Sequence, residues 1–215
     1  TPGRSNDRDI PLLNISTPLP FQLADWRFLD ASSEDPLEDW RIPEFDDSSW
    51  KQGPAPLGRE TSVLPVPLAT HGGSEPQFNS RRGKRNFYFR RTFEFNGEPS
   101  RTSLTLETYL DDGAVFYLNG AELYRHNMPE GLLGDDSWAV ETVTNAGFAG
   151  PFPVPSGPLV KGTNTLSVIT YQATASSSDI VFDCELTASE TAPAPPDPTE
   201  ASLQLLLEHL RVTEI

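Results

Sequence analysis

Residues 109–131 read YLDDGAVFYLNGAELYRHNMPEG, and this stretch decides the fold. Asp112-Gly113 suits a turn, and residues 114–118 are rich in β-branched and aromatic side chains. Asn119-Gly120 fits a two-residue type I′ turn, which needs positive φ at both central positions. Residues 121–126 then return antiparallel. A turn, a strand, a tight hairpin and a second strand in unbroken order predict an antiparallel β-sandwich.

The rest of the composition agrees with that reading. The chain has 215 residues, enough for one main domain with appendages. Its 12 phenylalanines, 5 tyrosines and 4 tryptophans supply the apolar area of a sizeable core. Its 21 prolines and 15 glycines imply many short elements separated by turns, which suits strands better than helices.

Charge narrows the function classes. The formal net charge is −15, so the bulk field opposes nucleic acid and anionic membrane surfaces as partners. One local exception runs from Arg81 to Arg91, where Arg81, Arg82, Lys84, Arg85, Arg90 and Arg91 are six of the 16 basic residues. Such a run either solvates a loop or holds a sulfated or uronic-acid polymer through bidentate contacts. No stretch approaches the roughly 18 apolar residues of a membrane span, so membrane insertion is not expected. No signal-peptide pattern is present, and a start at Thr1 leaves an already removed export signal open.

Along the chain, residues 1–17 read as an extended polar arm and residues 18–188 as the β-sandwich module. The emphatic strands are 87–95 (FYFRRTFEF), 104–110, the hairpin, 165–171 and 180–186, with a long loop over 63–77 and a loop-rich passage over 128–158. Trp26, Trp40 and Trp50 sit in motifs that suit packing. Residues 189–199 form a proline-rich linker. Asp197 then caps a short helix over 200–215, with Pro198 at its first position and Glu200 reaching back, and Leu203, Leu206, Leu207 and Leu210 on one face. Cys184 is the sole cysteine, so there is no intrachain disulfide and no thiolate metal cluster. In IVFDCEL, alternation puts Ile180, Phe182, Cys184 and Leu186 on one face and Asp183 and Glu185 on the other, which makes Cys184 a core residue.

Taken in order, FDDSSW, APLG, FYFRRTFEF, DDGAVFYLNGAELYRHNMP, KGTNTLSVITYQ and SSDIVFDCEL resemble the galactose-binding-domain-like jelly-roll modules of large secreted bacterial proteins. The resemblance covers residues 18–188. It implies a jelly-roll sandwich, usually a noncatalytic carbohydrate-binding or adhesion module. Where related families commonly place a histidine before the glutamine of the VxxxQ strand, this chain has Tyr171 before Gln172. The final LRVTEI resembles the opening strand of a lamin-tail domain, which implies a longer protein with neighbouring domains. LDDG is similar to the calcium-binding aspartate pair of the protective-antigen-like lectin domains of yeast adhesins, which implies a calcium role for Asp111 and Asp112.

Calcium takes six to eight hard oxygen ligands, which carboxylates, backbone carbonyls and sugar hydroxyls supply together. Asp179 in the Ser177-Ser178-Asp179 stretch joins Asp111 and Asp112 as a metal ligand if the two loops meet at one end of the sandwich. The competing reading is that Asp111 and Asp112 shape a turn through hydrogen bonds to backbone. Tyr124, Arg125, Asn127 and Trp138 complete the expected ligand-binding set. Arg125 and Asn127 suit sugar hydroxyls, and Tyr124 or Trp138 offers an apolar ring face. For Arg125 the alternative is an ion pair, for Asn127 a turn cap, and for Trp138 burial.

Catalysis has little support: His71, His126 and His209 are scattered, no nucleophile elbow is present, and adjacent aspartates suit a glycosidase pair poorly, because its carboxyls flank one bond at roughly 5–9.5 Å. The expected function is therefore a noncatalytic extracellular or cell-surface carbohydrate-binding module, calcium-assisted, whose partners are a glycan or cell-surface polysaccharide and neighbouring domains. The alternatives are a structural or adhesion module that contacts only protein, and a hydrolase built from distant acids.

Overall fold

The computed structural model describes residues 12–22, 25–29, 36, 39–71, 86–134, 136–177, 179–193, 203 and 207. Among the described residues, twelve strands build two six-stranded sheets packed face to face, the all-β sandwich expected from the sequence. They are β1 (Leu12–Leu19), β2 (Asp25–Phe28), β3 (Lys51–Pro54), β4 (Leu57–Arg59), β5 (Thr70–His71), β6 (Asn86–Phe95), β7 (Thr102–Asp111), β8 (Gly113–Leu118), β9 (Ala121–His126), β10 (Gly147–Val154), β11 (Gly162–Tyr171) and β12 (Ile180–Thr191).

The first sheet runs β10-β7-β12-β4-β5, with β1 also paired to β12, and the second runs β3-β2-β6-β11-β8-β9. All pairings are antiparallel except β4 with β5. The chain changes sheets at β1 to β2, β3 to β4, β5 to β6, β6 to β7, β7 to β8, β9 to β10, β10 to β11 and β11 to β12, a jelly-roll style of crossing. Between the sheets, Trp26, Phe87, Phe89, Leu106, Phe116, Val168, Phe182 and Cys184 are buried in one cluster. Phe182 stacks on Phe89 with centroids 4.2 Å apart and meets Trp26 edge-on at 5.0 Å.

The Asn119-Gly120 turn forms as the sequence predicts, with φ of 50° and 87°. Asn119 does more than turn. Its side chain donates to the Pro158 carbonyl and to Asn164 Oδ1 and accepts from the Thr165 amide, which stitches the hairpin to β11.

Two elements depart from expectation. Of the expected arm over 1–17, the described part from Leu12 onward belongs to the sandwich, because Leu12–Leu19 pairs with β12 from Leu186 to Thr191. The loop-rich passage over 128–158 contains β10, a mostly exposed edge strand on β7 with a bulge between Ala149 and Phe152. Glycine and proline depress its strand signal, yet an edge strand accommodates proline because one side of its ladder has no partner. The C-terminal helix expected over 200–215 lies outside the described residues apart from Leu203 and Leu207, which are helical and exposed.

The outer face of the second sheet is also covered. Leu29, Trp40, Trp50, Tyr88, Val115, Ile169 and Tyr171 form a second buried cluster beneath the segment from 39 to 50. Arg90 holds that segment down. It is 1% exposed, pairs with Asp47 at 2.9 Å, donates to the carbonyls of Trp40, Ile42 and Phe45 and to Ser167 Oγ, and lies over the Phe45 ring. Part of the basic run is thus internal scaffolding. Arg91 donates to the Asp25 carbonyl, while Arg81, Arg82, Lys84 and Arg85 lie outside the described residues.

Candidate functional site

At one end of the sandwich, two links between the sheets and the end of β4 converge. Asp111 ends β7 in the first sheet, Gly113 opens β8 in the second, and Asp112 alone bridges the gap, with a cis peptide between Asp111 and Asp112. The β11–β12 loop, which carries Gln172 and Asp179, arrives at the same end, because Tyr171 is registered against Gly113 and Val181 against Asp111. β4 pairs with the start of β12 there, and Gly58 sits where a Cβ would collide with the Ile180 carbonyl. The close approach that only glycine permits delivers Glu60 to the cluster.

The two aspartates divide their roles. Asp112 Oδ1 accepts from the Val143 amide at 2.7 Å and Oδ2 from the Ala173 amide at 2.8 Å, so one carboxylate ties two loops to the crossing. Its backbone carbonyl accepts from Asn127 Nδ2 at 3.0 Å, and Asn127 also bonds both backbone groups of Glu141. Asp111 is 1% exposed, and neither of its side-chain oxygens has a hydrogen-bond partner. Its carboxylate, with those of Glu60 and Asp179, forms a group whose ligand oxygens lie within 4.8 Å of one another, an acidic group able to hold a metal ion. Glu60 Oε1 accepts from the amides of Thr61 and Ser62, while Oε2 is buried without a partner. Asp179 Oδ1 accepts from Ser177 Oγ at 3.1 Å, and Gln172 Nε2 donates to the Asp179 carbonyl at 2.6 Å. Burial above all, then the acidic neighbours Asp112, Asp179 and Glu60, pushes the Asp111 carboxyl up to about 9. A bare carboxylate is costly in such a place, and a proton or a bound cation offsets that cost.

The loops of Asp111, Asp112 and Asp179 thus meet, and Asn127 meets them through the Asp112 backbone. Glu60, which completes the acidic group, has no sequence signal: a lone acid in GRETS follows no pairing or spacing rule. Tyr124 is half-buried and stacks on Phe152 with centroids 4.7 Å apart, away from this group. Arg125 forms a two-pronged pair with Glu122 at 2.6 and 2.9 Å and donates to the carbonyls of Pro129 and Gly131, so it braces the loop after β9. Trp138 is half-buried in a loop anchored by the Ala139 amide on the Gln172 carbonyl.

A second feature lies on the outer face of the second sheet, a cleft of about 580 Å³. Trp40, Tyr88, Tyr117, Ile169 and Tyr171 line it, and Leu132 and Leu133 form one bank. Two ion pairs stand at its rim, Asp39 with Arg41 at 2.8 Å and Glu122 with Arg125. Arg41 also lies over the Tyr117 ring, 5.4 Å from its centroid. The rim therefore carries hydrogen-bonding capacity with balanced charge. Burial pushes the Tyr117 hydroxyl up, so it stays protonated at neutral pH.

No family model matches the chain, and no curated protein matches it. Among solved structures, the chain is similar to part of a β-glycosidase from Bacteroides vulgatus, at 15% identity over 81% of this chain and 20% of that one, with a TM-score of 0.47. It is likewise similar to a glycosyl hydrolase family 2 member from Bacteroides cellulosilyticus, at 13% identity over 82% and 21%, with a TM-score of 0.49. A calcium-binding mutant of a Bacteroides uniformis β-glucuronidase matches at 17% identity over 81% and 18%, with a TM-score of 0.49. The chain spans about a fifth of the length of these glycosidase chains. Among the described residues no helix is long and apolar enough to cross a membrane.

Proposed function

We propose that this chain is a noncatalytic carbohydrate-binding module of a larger secreted or cell-surface protein, with calcium as its cofactor. The observation that carries the sugar reading is the outer-face cleft. Its volume of about 580 Å³ falls in the range that buries a small ligand. A pyranose has apolar C–H faces and a belt of hydroxyls. Half-buried Tyr117 offers ring surface, and the paired carboxylates and guanidiniums of Asp39, Arg41, Glu122 and Arg125 offer acceptors and planar donors for adjacent hydroxyls. The balanced rim favours a neutral sugar over an acidic one.

Arg125 is the member of the expected ligand set that this cleft employs, whereas Tyr124 and Asn127 serve packing and loop support. Affinity per site is weak, because each sugar hydroxyl exchanges water for protein at a net gain of about 1 kcal/mol. Neighbouring modules on a longer chain raise it through avidity. Asp112 supports the noncatalytic reading, because both of its carboxylate oxygens are committed to backbone amides and brace loops.

The test is a glycan array probed with the chain in millimolar calcium and in chelator, beside Tyr117→Ala and Glu122→Gln. Saturable binding to neutral glycans, weakened at least tenfold in both variants, is the expected result. Silence on the whole array, or binding indifferent to both substitutions, removes the sugar reading and moves the assignment to a module whose partner is protein.

A further inference from the structure

We infer that Glu60, Asp111 and Asp179 form a binding site for a hard divalent cation, calcium in preference to magnesium. The inference deepens the calcium part of the proposed function and is independent of its sugar part, since cation binding is measured with no glycan present. Three observations carry it. First, the ligand oxygens of these three carboxylates come within 4.8 Å of one another, although they belong to the end of β4, the end of β7 and the β11–β12 loop. Oxygens that share one calcium ion at about 2.3–2.6 Å are at most about 5 Å apart, so a single ion spans the group.

Second, both Asp111 oxygens and Glu60 Oε2 are buried with no hydrogen-bond partner, and Asp111 is 1% exposed. Buried carboxylates in folded proteins are ordinarily paired or bonded, and leaving them bare costs several kcal/mol each, so these point to an absent positive charge.

Third, the donor set is all oxygen, with no imidazole or thiolate among the three, which selects hard cations over zinc or copper. Gln172 Oε1 is one more buried oxygen without a partner, on the loop that carries Asp179. Calcium is preferred because its flexible coordination accepts carboxylates converging from three separate segments, where magnesium demands a near-ideal octahedron.

This assignment revises the aspartate pair as a ligand unit. Asp112 belongs to the support: its carboxylate pins the loops of Val143 and Ala173, and Glu60 takes the place expected for it. The cation would join the ends of β4, β7 and β12 within the first sheet, next to the point where Asp112 leads into β8 of the other.

The test uses the whole chain stripped with chelator and titrated with calcium chloride, magnesium chloride and, as an ionic-strength control, sodium chloride. Calorimetry and thermal unfolding are the two readouts. Calcium is expected to bind with one-to-one stoichiometry and to raise the melting temperature by about 5–10 °C at a hundredfold excess over Kd. Glu60→Gln and Asp179→Asn each weaken binding at least about tenfold, and Asp111→Asn abolishes it, while the remote Glu44→Gln binds as wild type. Glu60→Gln and Asp179→Asn change loop positions, so they report on the site even if Asp111→Asn alters folding. A wild-type chain whose stability responds to calcium no more than to sodium overturns the inference, as does unchanged calcium affinity in Glu60→Gln and Asp179→Asn. A preference for magnesium overturns the choice of ion.

Discussion

Replacing Asp112 by alanine removes a carboxylate that accepts two backbone amides, from Val143 at 2.7 Å and Ala173 at 2.8 Å, in a residue only 1% exposed. Hydrogen bonds to a charged group contribute about 1.5–3 kcal/mol each, so the gross loss is about 3–6 kcal/mol. Asp111, no longer facing a second carboxylate, returns part of that, which leaves a net destabilisation of about 2–4 kcal/mol. Urea unfolding in chelator measures the net value, and amide hydrogen exchange at Val143 and Ala173 locates it. Both amides are expected to lose protection beyond what the global change accounts for. A variant within about 0.5 kcal/mol of wild type, with both amides still protected, refutes the division of roles between the two aspartates. The same reasoning makes Asp112→Ala a poor probe of ligand binding, because it loosens the loops that carry the site.

Arg90→Met removes the guanidinium that reaches the carbonyls of Trp40, Ile42 and Phe45 and leaves Asp47 only its longer pair with Arg27 at 3.8 Å, so urea unfolding should register a loss of about 3–5 kcal/mol, with the Trp40 and Trp50 fluorescence exposed first. Asp183 titrates in the folded chain near 7 because burial outweighs the help of the Gln22 and Cys184 amides. Its folded value lies above the unfolded 3.8, so its contribution is fully present below about pH 4 and is lost as pH rises to about 7. Asp183→Asn should therefore flatten the fall in stability across that window, and a profile parallel to wild type counts against the buried acid. Cys184 is wholly buried and its thiol is pushed up by burial, so it should react with thiol reagents only at the rate of global unfolding.

Much of the sandwich was legible because sheet formation follows local rules. The Asn119-Gly120 turn and the alternation of Phe87, Phe89, Phe93 and Phe95 need only near neighbours to be read, and the structure honours both. β10 was hidden because its residues, GFAGPFPV, have poor strand propensity, and only the free side of β7 makes them a strand. β1 was hidden for the same reason, its partner being the far end of β12. Arg90 looked like one member of a basic patch, yet its place on the outer face of β6, under a loop that turns the carbonyls of Trp40, Ile42 and Phe45 toward it, makes it a structural anchor.

The candidate site shows the same boundary. From sequence alone, Asp111-Asp112 before a glycine marks a polar turn or a calcium-ligand pair, and Asp179 marks a polar loop before the last strand. Which aspartate faces amides and which faces other acids depends on where the 143 and 173 backbones pass, and local sequence holds no record of that. Glu60 enters only because Gly58 lets β4 run close against β12, more than a hundred positions away in the chain. Sequence determined the turns, the strand faces and the buried thiol, since these depend on neighbours two to four residues apart. The tertiary structure alone decided the acidic group and the aromatic cleft, since each is assembled from segments that only sheet packing brings together.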